Sequence, residues 1–254
     1  MNLMKFIVNF MKSIHIKFLE NQESGYFIQE NFLSYQECES ILKLIHDYRK
    51  KNHIPKIYRN IKPIPLNYSV IDGNAINERL PEIKKIYVTV NNLINNLTNQ
   101  PIFPLKDIQV GCNINITEQG GTYRWHYDRN AVTALLYLNE VDGGEIEFYP
   151  NYRIILPKAK FSRFQSFLDW IQQLSFVRSI FGKRIVVKPQ PGLLLIMFGD
   201  KCLHSVRPVK EACDRVSIVM AYDLPNASFA IKGQLNTYLY SSEKVSVSDP
   251  NYSE

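Results

Sequence analysis

Disulfide chemistry is the first absence. The four cysteines of the 254-residue chain, Cys38, Cys112, Cys202 and Cys213, include no Cys-x-x-Cys pair and fit no framework spacing. They read as reduced thiols, and a cytoplasmic location is the expectation that follows. Long apolar runs are missing too. Residues 1–11 are too few to span a bilayer and too interrupted by Asn and Lys for a signal core, so a first strand or short helix is expected there. No membrane span is expected anywhere. Internal repeats and low-complexity tracts are absent, and so is a strong excess of one charge. The net +6 permits acidic small molecules or anionic surfaces as partners but does not call for nucleic acid. What is present is ordinary for a globular protein with a sizeable core, 45% hydrophobic and 12% aromatic.

The pattern divides the chain. Residues 25–33 read as a strand, after which Ser34 and Glu37 form a capping box for a helix with Cys38, Ile41, Leu42, Leu44 and Ile45 on its apolar stripe. The Pro-, Asn- and Tyr-rich stretch 51–74 reads as a loop with short strands. A second helix is predicted over 80–98, with Pro81 in its first turn. From residue 108 the period becomes that of strands: 108–116, 131–139, 145–149, 184–187, 192–198, a strand around His204, and 215–222. Many short strands after a helical start predict one domain. Its parts are a helical support over 1–105, a mainly β, cupin-like jelly-roll barrel over 106–225, and a C-terminal extension over 226–254.

An insertion at 151–183 interrupts the strands. Residues 161–181 carry Phe, Leu, Trp and Ile at helical spacing among Lys158, Lys160, Arg163, Arg178 and Lys183, with only Asp169 opposed. Three readings stay open: a surface helix packed on the barrel, a lid over its mouth, and a basic amphipathic helix lying on a membrane surface.

The chemistry concentrates in Gly120-Gly121-Thr122-Tyr123-Arg124-Trp125-His126-Tyr127-Asp128. His126 and Asp128 are two apart, which on a strand puts both on one face. An imidazole and a carboxylate are two thirds of a facial metal triad, and Fe(II) is the usual occupant of a 2-His-1-carboxylate site with open positions. His204 is the candidate third ligand. A lone His-x-Asp is more often a surface pair, and His15, His46 and His53 have no ligand spacing.

This stretch resembles the double-stranded β-helix Fe(II)/2-oxoglutarate-dependent dioxygenases, and within them the prolyl 4-hydroxylase-like group. The matching pieces run in order through that motif, Tyr137-Leu138-Asn139, Gly143-Gly144-Glu145-Ile146-Glu147-Phe148, Pro191-Gly192, His204 and Arg215-Val216-Ser217. The resemblance covers about 108–223. It implies Fe(II) held by His126, Asp128 and His204, with 2-oxoglutarate and O2 as co-substrates and ascorbate as a supporting reductant. Arg215, with Ser217 and Tyr137, would hold the distal carboxylate of 2-oxoglutarate, for which a guanidinium fork is suited. Tyr123 would line the substrate side, with Arg124 and Trp125 as neighbouring candidates. The implied reaction hydroxylates an unactivated C–H bond and releases succinate and CO2.

Some residues depart from the group. Thr117 stands where many members carry Tyr, and the distal cation is Arg, not the Lys of collagen-type enzymes. Ala221 stands where nucleic-acid demethylases carry a second Arg, which argues against DNA or RNA as substrate. Asp128 keeps the carboxylate that related halogenases replace. A small molecule such as an amino acid or natural product is the expected substrate, and a peptidyl side chain is the alternative. A non-catalytic metal-binding barrel, or a hydrolytic zinc site, would use the same triad but leave Arg215 without a purpose.

Overall fold

The computed structural model describes residues 25–60, 66–98, 100–156, 163–225, 227 and 233–247. The element expected over 1–11, His15, Lys158 and Lys160 lie outside the described residues.

In chain order, β1 (Tyr26–Gln29) leads into α1 (Tyr35–Lys51). The capping box forms as its residue types predict. The Ser34 N–H donates to Glu37 Oε2 at 2.7 Å while the Glu37 N–H donates to Ser34 Oγ at 3.3 Å, so the first orphan donors of the helix are satisfied. The 51–74 stretch holds the hairpin β2 (Lys56–Arg59) and β3 (Leu66–Ile71). Two helices follow, α2 (Gly73–Arg79) and α3 (Pro81–Leu97). The predicted single helix over 80–98 is thus preceded by a separate short one. Asp72 caps that one, and the turn at Leu80 precedes Pro81, whose ring disfavours helix in the residue before it.

A short β4 (Phe103–Pro104) precedes α4 (Ile108–Gly111), where the alternating pattern predicted a strand. The Asp107 carboxylate accepts from the Gln109 N–H at 3.1 Å and turns the chain into one helical turn before β5 (Cys112–Thr117). Strands β6 (Tyr123–His126), β7 (Val132–Tyr137) and β8 (Ile146–Tyr149) come next. The insertion forms two helices, α5 (Arg163–Gln173) and α6 (Ser175–Phe181), separated at an extended Leu174. Then come β9 (Ile185–Val187), β10 (Leu194–Met197), β11 (Leu203–Val206) and β12 (Arg215–Asp223). The C-terminal extension, for which no element was predicted, contains α7 (Gly233–Tyr240).

The strands form two sheets. The larger runs β1-β10-β7-β12-β5-β3-β2, with β4 beside β12, and the smaller runs β6-β11-β8-β9. This is the double-stranded β-helix expected, with helices as buttresses. Side-chain alternation divides the large sheet. Ala134 and Leu136 of β7 and Val216, Ile218 and Met220 of β12 pack with Ile41 and Ile45 of α1 and Ile83, Val90 and Ile94 of α3. The helical support and the sheet therefore share one core, in which each fully buried Ile or Leu contributes roughly 1.5–3 kcal/mol. The opposite faces of β7, β12, β10 and β5 turn toward the smaller sheet and enclose the site. Cys38, Cys112 and Cys202 are buried free thiols, and Cys213 is an exposed one. No helix among the described residues is long and apolar enough to cross a membrane.

Candidate metal and co-substrate site

Strands β6 and β11 are antiparallel neighbours whose register sets His126 opposite His204. Their ring centroids are 4.1 Å apart. The next registered pair is Val206 with Tyr123, so β6 spends three residues where β11 spends two. This bulge turns Tyr123 onto the His126 face, with ring centroids 4.7 Å apart, although three positions on a regular strand would oppose them. Asp128 lies just past β6. Its Oδ1 is 3.3 Å from His126 Nε2 and 3.5 Å from His204 Nε2. One ligand atom from each residue lies within 4.8 Å of the others, and together they could hold a metal ion.

Backbone carbonyls set both tautomers. His126 Nδ1 donates to Arg124 O at 2.9 Å, and His204 Nδ1 donates to Cys202 O at 3.0 Å, leaving each Nε2 lone pair for a metal. Asp128 is oriented from the large sheet. Thr133 Oγ1 donates to its Oδ2 at 2.6 Å and in turn accepts from Asn130 Nδ2 at 2.9 Å. Gly199 makes the approach possible, since a Cβ there would stand 2.7 Å from both Asp128 Oδ2 and Thr133 Oγ1.

Without metal the three groups titrate together. Burial lowers the pKa of His126, and the neighbouring His204 lowers it further. Burial also disfavours charge on His204, but the Asp128 carboxylate outweighs it and lifts the imidazole well above its ordinary value. Burial acts to raise Asp128, and the two imidazoles more than reverse this and hold it well below the usual carboxylate range. In the metal-free site Asp128 is thus held toward its charged form and His204 toward its protonated form, while His126 is pushed toward the neutral imidazole. A divalent cation would take the place of the shared proton.

Arg215, Ser217 and Tyr137 are the second group that β7 and β12 bring together. Ser217 is in register with Tyr137, and the Arg215 guanidinium carbon lies 5.0 Å from the Tyr137 ring centroid. Arg215 Nε donates to Gly144 O at 2.9 Å and Nη1 donates to Ser217 Oγ at 3.1 Å. A Cβ at Gly144 would meet Arg215 Cδ at 2.7 Å, and its φ of +64° is one that side chains resist. Asn139 secures the start of β12 by accepting from the Val216 N–H at 2.9 Å and donating to Asp214 O at 2.8 Å. Arg215 Nη2 and the Tyr137 hydroxyl are buried and make no well-formed hydrogen bond. Orphaned donors this deep are costly unless a ligand meets them, and a carboxylate is the group that suits both.

The triad and Arg215 line one cavity of about 150 Å³. Tyr123 lines it too, but Arg124 and Trp125 do not. Trp125 faces the insertion instead, with Tyr149 at 5.4 Å and the Arg178 guanidinium carbon 4.0 Å from its ring centroid. Four lining residues come from α7: Leu235, Asn236, Leu239 and Tyr240. That helix is pinned to the β2–β3 hairpin. Arg59 donates to Ser241 O at 2.8 Å and Glu243 O at 2.5 Å, and Tyr68 donates to Leu239 O at 2.9 Å. Sequence reasoning missed this wall, together with Asn113 and Asn115, whose alternation within an apolar strand was the available signal for polar groups facing the cavity.

Comparison with known proteins agrees with this geometry. Residues 112–223 match the 2OG-Fe(II) oxygenase superfamily. No curated protein sequence matches the chain significantly. Among solved structures, a prolyl hydroxylase from Trichoplax adhaerens in complex with a hypoxia inducible factor peptide is similar at 18% identity. That match has a TM-score of 0.61 and covers 88% of this chain and 94% of that one. The α-ketoglutarate-dependent carbocyclase SnoK from nogalamycin biosynthesis is similar with a TM-score of 0.66 at 13% identity, covering 92% of each chain. The epimerase SnoN in complex with Fe3+, α-ketoglutarate and nogalamycin RO is similar with a TM-score of 0.62 at 14% identity, covering 86% of this chain and 93% of that one. Residues 112–223, which carry the triad and Arg215, thus match the 2OG-Fe(II) oxygenase superfamily, and the chain is similar in fold to 2-oxoglutarate-dependent iron enzymes.

Proposed function

We propose that the chain hydroxylates an unactivated C–H bond of a small molecule, such as an amino acid or natural product, with conversion of 2-oxoglutarate to succinate and CO2. In this reading His126, Asp128 and His204 hold Fe(II), and Arg215, Ser217 and Tyr137 hold the distal carboxylate of the co-substrate. The observation that carries it is the convergence of the three metal-ligating side chains and the buried Arg215, whose Nη2 has no hydrogen-bond partner, on one cavity. Bound iron with 2-oxoglutarate supplies the power to activate O2 and oxidise the C–H bond. The residues contribute position. Thr133 keeps Asp128 turned toward the imidazoles, Gly144 and Asn139 hold Arg215 in place, and apolar walls from Leu135, Met197 and Val219 keep bulk water from the carboxylate fork.

Substrate contacts fall to Tyr123 and to the α7 wall, where the Tyr240 hydroxyl lies 3.4 Å from Asn113 Nδ2. A wall contributed by a helix suits a compact substrate, and the SnoK and SnoN likenesses are to enzymes of natural-product biosynthesis. The likeness to a prolyl hydroxylase bound to a peptide supports a peptidyl side chain as the second reading. Succinate release, screened against amino acids, small natural products and proline-containing peptides with mass spectrometry for a gained oxygen, separates the two. Turnover of peptides alone would overturn the small-molecule reading.

A further inference from the structure

Helix α5 is inside out. Its buried positions are polar: Gln165, Asp169 and Gln172 are all at most 7% exposed. Asp169 forms a two-point ion pair with Arg153, at 2.9 Å from Nε and 2.5 Å from Nη2. Gln165 accepts from the Leu156 N–H at 2.8 Å and donates to Ile154 O at 2.9 Å, while Gln172 donates to Tyr152 O at 2.8 Å. These bonds fix which way the helix faces. The face turned to solvent carries Phe164, Phe167 and Trp170 at spacings of three, each 52–59% exposed. Helix α6 adds Phe176 at 62% and Ile180 at 68%. Phe167 and Trp170 stack at 6.0 Å, so the exposed aromatics already form an ordered surface. An amphipathic surface helix ordinarily buries its apolar stripe, and leaving five large apolar side chains in water is unfavourable unless something covers them.

Charge says what covers them. Segment 151–188 contains eight Lys and Arg against Asp169 alone, a net +7, while the whole chain is +6, so the remainder is −1. The one acid is already neutralised by Arg153. Lys183 and Arg184 after α6 and Lys188 after β9 are exposed, Arg184 with its Nη1 3.4 Å from Glu147 Oε2.

We propose that the α5–α6 face is a docking surface for an anionic phospholipid membrane. The aromatic residues enter the boundary between headgroups and acyl chains, and Lys183, Arg184 and Lys188 lie against lipid phosphates. A second copy of the chain is the poorer occupant, because a two-fold interface would bring two such basic segments together. None of the described residues of 163–181 lines the cavity, so this inference stands apart from the oxygenase reading.

The test uses the full chain with vesicles of phosphatidylcholine alone and of phosphatidylcholine with phosphatidylserine, read by co-sedimentation and tryptophan fluorescence. Binding is expected to the phosphatidylserine vesicles, with a blue shift, and it weakens in high salt. Phe167→Ser combined with Trp170→Ser should lower partitioning by roughly tenfold or more, given the apolar burial each ring contributes. Lys183→Ala, Arg184→Ala and Lys188→Ala together should remove the preference for the anionic lipid. Both variants are expected to keep the wild-type thermal melt and metal affinity. Wild-type protein that stays in the supernatant with phosphatidylserine vesicles overturns the proposal. So do double-serine binding equal to wild type and a wild-type dimer in solution that the serine variant dissociates.

Discussion

Thr133→Val tests the site through a residue that would not touch the metal. Valine keeps the shape and removes only the hydroxyl, which donates to Asp128 Oδ2 at 2.6 Å. Asn130 keeps a partner, because its Nδ2 also donates to Val132 O at 2.7 Å. The loss therefore falls on Asp128, whose Oδ2 is closed off by Gly199 on the same side. A hydrogen bond to a charged group contributes about 1.5–3 kcal/mol, and groups that orient metal ligands typically change affinity by roughly 10–100-fold. The two figures agree, since 1.4 kcal/mol is about tenfold. The assay is an anaerobic competition titration with Co(II) or Fe(II) on wild type, Thr133→Val and Thr133→Ser. The valine variant is expected to lose about one to two orders of magnitude in metal affinity, and the serine variant to recover most of it. Metal affinity of Thr133→Val within twofold of wild type, on a protein with an unchanged melt, would refute the reasoning.

Other perturbations separate the parts of the site. Gly144→Ala should weaken 2-oxoglutarate binding by about tenfold or more at unchanged metal affinity, because the new Cβ strains a positive φ and displaces the Arg215 side chain it would meet at 2.7 Å; isothermal titration on Co(II)-loaded protein reads both constants. Arg59→Met removes the guanidinium that holds the chain after α7, so limited proteolysis should cut the C-terminal segment faster and the unfolding free energy from a denaturant titration should fall by an amount on the order of 3 kcal/mol, with the metal constant little changed. Metal uptake should strengthen as pH rises through the raised His204 titration and level off above it, with release of a proton that a weakly buffered titration detects. In the metal-free protein the sign is opposite for that group. Its raised pKa contributes stability below the ordinary imidazole value that is lost as pH rises through the folded-state value, whereas the depressed Asp128 contributes stability above the ordinary carboxylate value that is lost on acidification.

How much of this was legible depended on the range of the interaction. Arg215 and Ser217 share one face of β12, as a strand's period of two requires, whereas Asp128 lies just past the end of β6 and meets His126 from there. Thr133, Gly144 and Gly199 could not be found from spacing, since their significance comes from strands far apart in sequence: Gly199 matters only because its backbone passes Asp128. The bulge in β6 was equally silent, and it is what moves Tyr123 to the His126 face and leaves Trp125 on the other. At 108–111 a local cap at Asp107 prevailed over an alternating pattern. In α5 the periodicity was readable but its sense was not. The spacing of Phe164, Phe167 and Trp170 marks a stripe, and only the partners of Gln165, Asp169 and Gln172 show that the opposite stripe is the buried one. The α7 wall was missed because a short helix of mixed polarity gains its place from Arg59 and Tyr68, whose partners lie 182 and 171 residues further along the chain.

The central claim is that one cavity holds Fe(II) on His126, Asp128 and His204 and binds 2-oxoglutarate through Arg215. An anaerobic titration of metal-free protein with Fe(II) and then 2-oxoglutarate, followed by visible absorption, tests it directly. A charge-transfer band should grow with 2-oxoglutarate in the wild type, be absent in His126→Ala, and need much more 2-oxoglutarate in Arg215→Ala. No band in the wild type, with Zn(II) or Mn(II) bound tightly in its place, would contradict the claim.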